Sequence, residues 1–143
     1  MKISTKGRYA LRVMIDIAEH NGENYIPLKD IAARQEISQK YLEAIMKDLT
    51  KAEILDGHQG KGGGYRLNRE ADRITIFEIL SATEGDLAPI ACLEEDAKPC
   101  NRAAECRTLP MWEKFYSVIK NFFEGITLAE LTETGTAGDN YVI

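Results

Sequence analysis

The sequence has few cysteines, few prolines and no long hydrophobic run. It contains three cysteines and four prolines in 143 residues, and three cysteines are too few, and odd in number, for a disulfide framework. The uncharged apolar stretch Val13 to Ile15 near the N-terminus is cut by Asp16, which is far short of a signal-peptide core or a membrane span. These absences predict a cytoplasmic protein with no membrane partner.

Neither sign of charge dominates the chain, so an intrinsically disordered protein is not expected. The sequence is 44% hydrophobic and 29% charged, with a net charge of -5, and a chain of this length matches one typical domain. Residues 1–69 carry 12 Lys/Arg and 9 Asp/Glu, a net of +3, whereas residues 70–143 carry 6 and 14, a net of -8. A polyanion such as nucleic acid would therefore bind the first half.

The first half shows three helical segments followed by a hairpin. Apolar residues recur at helical spacing over 5–21, 28–35 and 39–52, and Ser4 and Ser38 precede the first and third segments as N-caps. Two short strand candidates then flank the glycine-rich tip GKGGGY. The fold class predicted is mainly α with a small β-hairpin.

The second half holds one compact helix, an irregular loop and a long aromatic-rich helix. Thr75 and Glu78 match a capping box for the fourth helix. Residues 86–108 lose all periodicity and contain every cysteine. Residues 109–133 predict a long amphipathic helix and a short terminal one, and residues 134–143 are expected to form a flexible tail.

The glycine-rich tip does not match a phosphate-binding loop. No Gly followed by four residues and Gly-Lys-Ser/Thr is present, and the third glycine of a dinucleotide site is missing. The order helix, helix, turn, helix, hairpin is that of a winged helix-turn-helix, in which the second helix of the pair enters the DNA major groove. The alternative from pattern alone is a small helical domain with an incidental hairpin.

Two other classes of function find less support in the residues. No cysteine-histidine or serine-histidine constellation and no paired-carboxylate motif stands out, so we do not expect an enzyme. An adaptor that binds partners through the amphipathic helix at 110–125 would explain the aromatic residues but not the hairpin or the basic half. Homodimerisation through that helix explains the aromatic residues as well as the hairpin and the basic half.

Four motifs in this order resemble the BadM/IscR-type family of bacterial winged-helix transcription regulators: STKGRYALRVMIDIA, IAARQEISQKYLEAIMKDLTKAEIL, GKGGGYRL and ITIFEILSATEG, followed by three cysteines. The resemblance covers residues 2 to about 132. It implies a winged helix-turn-helix unit at 1–85, a cluster-binding loop at 86–108 and a dimerisation helix within 109–133. It also implies a homodimer that reads a palindromic operator in double-stranded DNA.

The resemblance further implies which residues bind DNA and which form the dimer. The start of the first helix would contact phosphates, the first turns of the third helix would face base edges, and Lys61 would touch a minor groove or a phosphate. The DNA-binding set is Ser4, Thr5, Lys6, Arg8, Ser38, Gln39, Lys40, Tyr41, Glu43 and Lys61. The dimerisation set is Trp112, Phe115, Ile119, Phe122 and Phe123.

Two of these assignments have alternatives. Gln39 can pair with adenine and Glu43 can accept a hydrogen bond from cytosine, but Lys40 and Tyr41 could equally contact the DNA backbone. Tyr41 could instead be half-buried against the hairpin. Tyr65 is expected to pack the hairpin onto the core.

The three cysteines lie within 15 residues of a polar, proline-rich loop. Seven residues separate Cys92 from Cys100 and five separate Cys100 from Cys106, and such a loop can direct three thiolates toward one point. Thiolates are the ligands that iron-sulfur clusters and zinc select. A closed site needs four ligands, so the fourth must be another residue type.

The resemblance implies an iron-sulfur cluster on Cys92, Cys100 and Cys106, with 2Fe-2S favoured over 4Fe-4S, whose state controls DNA affinity. In IscR-like members the fourth ligand is a histidine three residues after the third cysteine, but that position is Leu109 here. The fourth ligand stays open among carboxylates of the loop, the two histidines and a residue of the partner. The alternative function is a regulator of the same fold that senses thiol oxidation directly or binds zinc.

Overall fold

The computed structural model describes residues 1–133, and the tail predicted at 134–143 lies outside the described residues. Six α-helices, one hairpin and three short 3-10 helices, Ala71–Arg73, Ala91–Leu93 and Ala103–Glu105, make up the regular structure of that part. The helices are α1 (Thr5–Glu19), α2 (Leu28–Gln35), α3 (Gln39–Lys51), α4 (Ile76–Glu84), α5 (Leu109–Glu124) and α6 (Leu128–Glu133), and the strands are β1 (Leu55–His58) and β2 (Gly64–Leu67).

Side-chain caps set the starts of the helices where the sequence predicts them. The Ser4 hydroxyl accepts a hydrogen bond from the Gly7 amide at 3.1 Å, and the Ser38 hydroxyl accepts one from the Tyr41 amide at 3.2 Å. A capping box with Thr75 at its N-cap begins α4. These bonds satisfy amides that have no partner inside the helix. The predicted fold class, mainly helical with a winged hairpin, is confirmed.

The hairpin, called the wing below, is fixed to the loop before α2. Its strands are antiparallel, with Leu55 opposite Leu67. The amide of Tyr65 donates to the carbonyl of Ile26 at 2.9 Å, and the Ile26 amide donates back at 2.8 Å. A Cβ atom on Gly64, whose φ is 148°, would overlap the Ile26 carbonyl. Glycine at position 64 therefore permits close packing of the wing backbone on the segment before α2.

One apolar core joins α1, α3, α4 and α6. Fully buried side chains include Met14, Leu42 and Ile79, and Leu128 brings α6 into the same core. The Leu128 amide also donates to the carbonyl of Ile74 at 2.8 Å. The chain thus returns to the winged-helix core after α5, a helix in which no residue is fully buried.

Asp16 is the one buried charged residue in the described part of the chain, with 2% of its surface exposed. Arg34 of α2 binds both carboxylate oxygens at 2.6 and 3.0 Å, and the Gln35 side chain donates at 2.8 Å. Burial alone would raise the pKa of Asp16, but the hydrogen bonds from Arg34 and Gln35 and the positive charge outweigh it and lower that pKa. The contact holds α1 against α2.

Replacing Asp16→Asn is expected to lower the free energy of unfolding by about 1 to 3 kcal/mol, because the buried amide offers one acceptor oxygen where Arg34 and Gln35 now bond to two, and its NH2 group faces their donors. Urea denaturation at neutral pH measures the change. The matched control is Asp72→Asn, an exposed carboxylate whose loss should change stability by less than about 0.5 kcal/mol.

The same pair makes a prediction for pH. Because the pKa of folded Asp16 is lowered, its stabilisation is present above the ordinary carboxyl pKa of about 4 and is lost as pH falls through the folded value. The difference in stability between wild type and Asp16→Asn should therefore shrink on acidification below about pH 4. A difference that stays constant down to pH 2 would contradict this account.

Candidate nucleic-acid interface and cysteine loop

The first turns of α3 present the predicted base-reading residues on one surface. The side chains of Ser38, Gln39, Lys40 and Glu43 are exposed, whereas Leu42 between them is fully buried in the core. The burial of Leu42 fixes the rotation of α3, so the polar side chains face outward together. The structure thus brings this part of the predicted set onto a single accessible face.

Tyr41 packs against α1 and not against the wing. Its side chain is 38% exposed, and its ring meets the ring of Tyr9 edge-on with centroids 5.8 Å apart. The Arg12 guanidinium covers the same Tyr9 ring at 5.0 Å. The alternative of half-burial against the wing is therefore wrong.

A groove of about 830 Å³ lies between α3 and the wing. Three lysines line it, namely Lys29 of α2 with Lys47 and Lys51 of α3, and the wing contributes Gln59 and Gly60. Within residues 1–133 none of the three ammonium groups lies in an ion pair. The sequence prediction missed all three, although the spacing of Lys47 and Lys51 from Glu43 by four and eight residues indicates the same face of α3.

The start of α1 carries the predicted phosphate-binding residues, each already bonded within the protein. The Ser4 hydroxyl donates to the carboxylate of Glu84 at 2.6 Å. The Lys6 ammonium lies 2.5 Å from Asp48 of α3. Arg8 donates to the Thr5 hydroxyl at 3.2 Å. A phosphate that approaches this end of α1 would have to compete with the protein groups that these side chains already contact.

The wing carries Lys61 at its exposed tip and a polar cluster at its base. The Tyr25 hydroxyl donates to the Asp56 carboxylate at 2.9 Å, which raises the pKa of Tyr25. The Arg66 guanidinium stacks over the Tyr25 ring at 4.4 Å and lies 3.3 Å from Asp56. Tyr65 is half-buried against the core, as predicted. The cluster joins the wing to the α1–α2 connection.

The cysteine loop, residues 86–108, does not gather its three thiols as the sequence predicts. Cys92 and Cys100 are exposed and Cys106 is half-buried, and among residues 1–133 no three His, Cys, Asp or Glu side chains lie together as a metal site would require. Local bonds account for this arrangement. The Asp86 carboxylate accepts the Ala88 and Glu95 amides at 2.8 and 2.7 Å, and the Cys100 sulfur accepts the Arg102 amide at 3.4 Å.

Cys106 has a distinct environment at the start of α5. Its sulfur lies 3.5 Å from the Thr108 hydroxyl. Hydrogen bonds from that hydroxyl, then from the Thr108 and Leu109 amides, and the nearby Arg102 charge lower the pKa of the thiol. At the position where IscR-like members carry histidine, Leu109 therefore contributes a backbone amide.

The long helix α5 exposes an apolar stripe to solvent. Met111, Phe115, Val118 and Phe122 are between 43% and 60% exposed, and their spacing of three and four residues places them on one face. Phe123, by contrast, packs against the core of its own chain. The predicted dimerisation set is thus divided, and Met111 and Val118 were missed because only rotation of the helix shows which face is free.

Comparison with known proteins agrees with this architecture. The family model Rrf2, described as "Iron-dependent Transcriptional regulator", matches residues 3–134. The HTH-type transcriptional regulator IscR of Aliivibrio salmonicida is 38% identical over 131 residues, which are 92% of this chain and 77% of that relative. No helix in residues 1–133 is long and apolar enough to cross a bilayer.

Two solved structures are similar over nearly the whole chain. The CymR (YrzC) structure, the global cysteine regulator of B. subtilis, is 34% identical with a TM-score of 0.73, and the match covers 94% of this chain and 98% of that one. T. potens IscR is 31% identical with a TM-score of 0.70, covering 100% and 94%.

In reduced, metal-free protein, Cys106 is expected to react with iodoacetamide at neutral pH faster than Cys92 and Cys100, although those two are more exposed. The lowered pKa of Cys106 increases its reactive thiolate fraction. Peptide mass spectrometry after timed alkylation measures the three rates. Thr108→Val should slow Cys106 alone, and an order that follows exposure would contradict the prediction.

Proposed function

The chain belongs to the Rrf2 family of transcription regulators, and we propose that it binds a palindromic operator as a homodimer and responds to an iron-sulfur cluster on its cysteine loop. It is a DNA-binding regulator and not an enzyme, as its relatives are named. The observation that carries the proposal is the exposed polar face of α3 beside a lysine-lined groove. Its place of action would be the cytoplasm.

Residues 1–85 form the proposed DNA-binding unit. The exposed residues at the start of α3 suit base edges in the major groove, since Gln39 can bond adenine in two places and Glu43 can accept from cytosine. Lys47, Lys51 and Lys61 surround that face with positive charge. The start of α1 would add phosphate contacts that set the register of the protein on DNA.

The apolar stripe of α5 supports the proposed homodimer. Four large apolar side chains on one face of a single helix form an exposed patch of the kind that marks an interface. A two-fold axis at α5 would place two copies of α3 in related orientations. Such symmetry matches a palindromic operator.

The cysteine loop offers a suitable donor set for an iron-sulfur cluster. Three thiols lie on one short loop, none is in a disulfide and none is buried in the core. The loop must change its arrangement before all three can hold one cluster, because they do not converge in the described structure. Cys92, Cys100 and Cys106 would supply the thiolates, and a cluster, with 2Fe-2S favoured, would supply an oxygen- and redox-sensitive state.

Direct thiol sensing, without a cluster, is the second candidate. The lowered pKa of Cys106 and its half-exposed sulfur favour it, and a structural relative is titled a cysteine regulator. Zinc held by the same thiols is a variant of this reading. Colour separates the candidates, because an iron-sulfur protein absorbs visible light whereas zinc and free-thiol forms do not.

Replacing Gln39→Ala is expected to alter preference among DNA sequences, at a cost of about 1 to 3 kcal/mol for the favoured base. Lys47→Ala should instead weaken binding to all duplexes alike and reduce the salt slope by about 0.9 per lysine, or about 1.8 for the homodimer. Fluorescence anisotropy on a set of duplexes at several salt concentrations measures both. Lys120→Gln, a charge loss in the acidic half, is the control and should leave affinity unchanged.

The variant Phe115→Glu with Phe122→Glu is expected to be monomeric at micromolar concentration, because it places charges in the centre of the apolar stripe. Sedimentation velocity measures the mass. Ser117→Glu adds a carboxylate to the polar, exposed face of the same helix and should leave the dimer intact. A wild-type protein that is strictly monomeric would contradict the proposal that a homodimer binds a palindromic operator.

Each single Cys→Ala change at the three cysteines is expected to abolish visible absorbance after anaerobic reconstitution with iron and sulfide. Two remaining thiolates are too few to retain a cluster that already borrows another ligand. Circular dichroism should show an unchanged fold, since none of the three cysteines lies in the core. A wild type that binds no iron, or one variant with an unchanged spectrum, would instead favour the thiol or zinc reading.

A further inference from the structure

The carboxylate of Glu84 lies at the start of α1, among the residues proposed to bind DNA phosphates. Its Oε1 accepts hydrogen bonds from the Ser4 amide at 3.0 Å and from the Ser4 hydroxyl at 2.6 Å. The same hydroxyl oxygen accepts the Gly7 amide and caps α1. A phosphate at this helix end would use the same donors and the same positive end of the helix dipole.

The position of the Glu84 carboxylate is electrostatically favourable at the start of α1 and unfavourable at the end of α4, its own helix. It is the last residue of α4, where the negative end of the helix dipole disfavours a carboxylate. The start of α1 offers the opposite field and two hydrogen-bond donors. The contact with Ser4 therefore accounts for an acidic residue at an otherwise unfavourable position.

Gly7 leaves the space that the carboxylate fills. A Cβ atom at this position would overlap Oε1 of Glu84. Gly7 lies inside α1 without a positive φ, so no turn requires glycine there, and glycine weakens a helix relative to alanine. The surface of α1 is thus shaped at this point to admit an anion from α4.

Lys6 and Arg8 are the two cations in the first turn of α1. Lys6 already lies against Asp48, while Arg8 has no carboxylate partner within residues 1–133 and donates to a hydroxyl. We propose that Glu84 is an internal competitor of the DNA backbone: its carboxylate holds the start of α1 and opposes a phosphate there, which lowers DNA affinity. This inference rests on the proposed function, because it requires α1 to face DNA.

The experiment compares wild type with Glu84→Gln and Glu84→Ala on a mixed-sequence 30-base-pair duplex, by fluorescence anisotropy at 0.05 to 0.3 M salt. The proposal predicts about 3-fold to 10-fold tighter binding by both variants at low salt, with the gain shrinking as salt rises. Thermal melts establish that each variant is folded at the temperature used. Glu84→Ala should bind more tightly even though it loses a contact and melts at a lower temperature.

The control is Glu19→Gln, the same charge change at the far end of α1. That end is about 20 Å away, roughly twice the Debye length at 0.1 M salt. Equal gains from Glu19→Gln and Glu84→Gln would reduce the effect to net charge and overturn the proposal. Unchanged or weaker binding by both Glu84 variants would show that the residue only caps α1.

Failure of this inference differs from failure of the proposed function. If wild type binds no duplex and Lys47→Ala changes nothing, the DNA-binding proposal itself is wrong. If wild type binds, Lys47→Ala weakens binding and the Glu84 variants show no gain, only the competitor role is wrong.

Discussion

The ion pair between Asp16 and Arg34 fixes the position of α2 on α1, and the surfaces proposed to face DNA depend on it. Because the Asp16 carboxylate is buried, an arrangement that separates it from Arg34 would leave a charge without compensation. A second constraint lies in the segment between α1 and α2, where Ile26 exchanges backbone hydrogen bonds with Tyr65 of the wing. The two contacts orient α1, α2 and the wing relative to one another through polar groups, whose geometry is more directional than that of apolar packing.

The winged-helix core and the remaining elements differ in how completely they are covered. The core closes on itself, since α6 returns after α5, packs against α1 and buries Leu128 in the same core. In contrast, α5 has no fully buried residue, and most of the cysteine loop is exposed. An apolar helix face and a loop held by a few local bonds gain more from a second chain or a ligand than the core does. The proposed sensing and dimerisation thus involve the cysteine loop and α5, which are the least covered part of the described chain.

Local chemistry made most of the fold predictable from the sequence. Ser4, Ser38 and Thr75 cap helices through bonds to residues three positions away, so a short window of sequence contains both partners. Long-range contacts were not predictable in this way. Asp16 and Arg34 are 18 positions apart, and nothing in either helix indicates that they meet.

The exposure of the candidate site residues was predictable where it depends on rotation of a helix with a clear buried face. The buried Leu42 of α3 forces its neighbours outward, so the exposed face of α3 follows from periodicity, while its role in base reading stays a prediction. In α5, Phe122 and Phe123 are adjacent and equally apolar, yet one faces solvent and the other packs against the core. Their difference depends on how α5 crosses α4. The spacing of the cysteines likewise permits convergence, but hydrogen bonds within the loop decide its actual shape.

A chain with a net charge of -5 can bind a polyanion only if its cations are placed and paired selectively. Two groups of cations face the proposed DNA surface. The lysines of the groove have no carboxylate partner within residues 1–133, so a phosphate approaching them displaces only mobile ions. At the start of α1, Lys6 and the Ser4 donors already hold Asp48 and Glu84, so a phosphate must replace a carboxylate and the net gain is small. The groove would therefore supply general attraction to DNA, whereas the start of α1 would favour only a phosphate in the correct register.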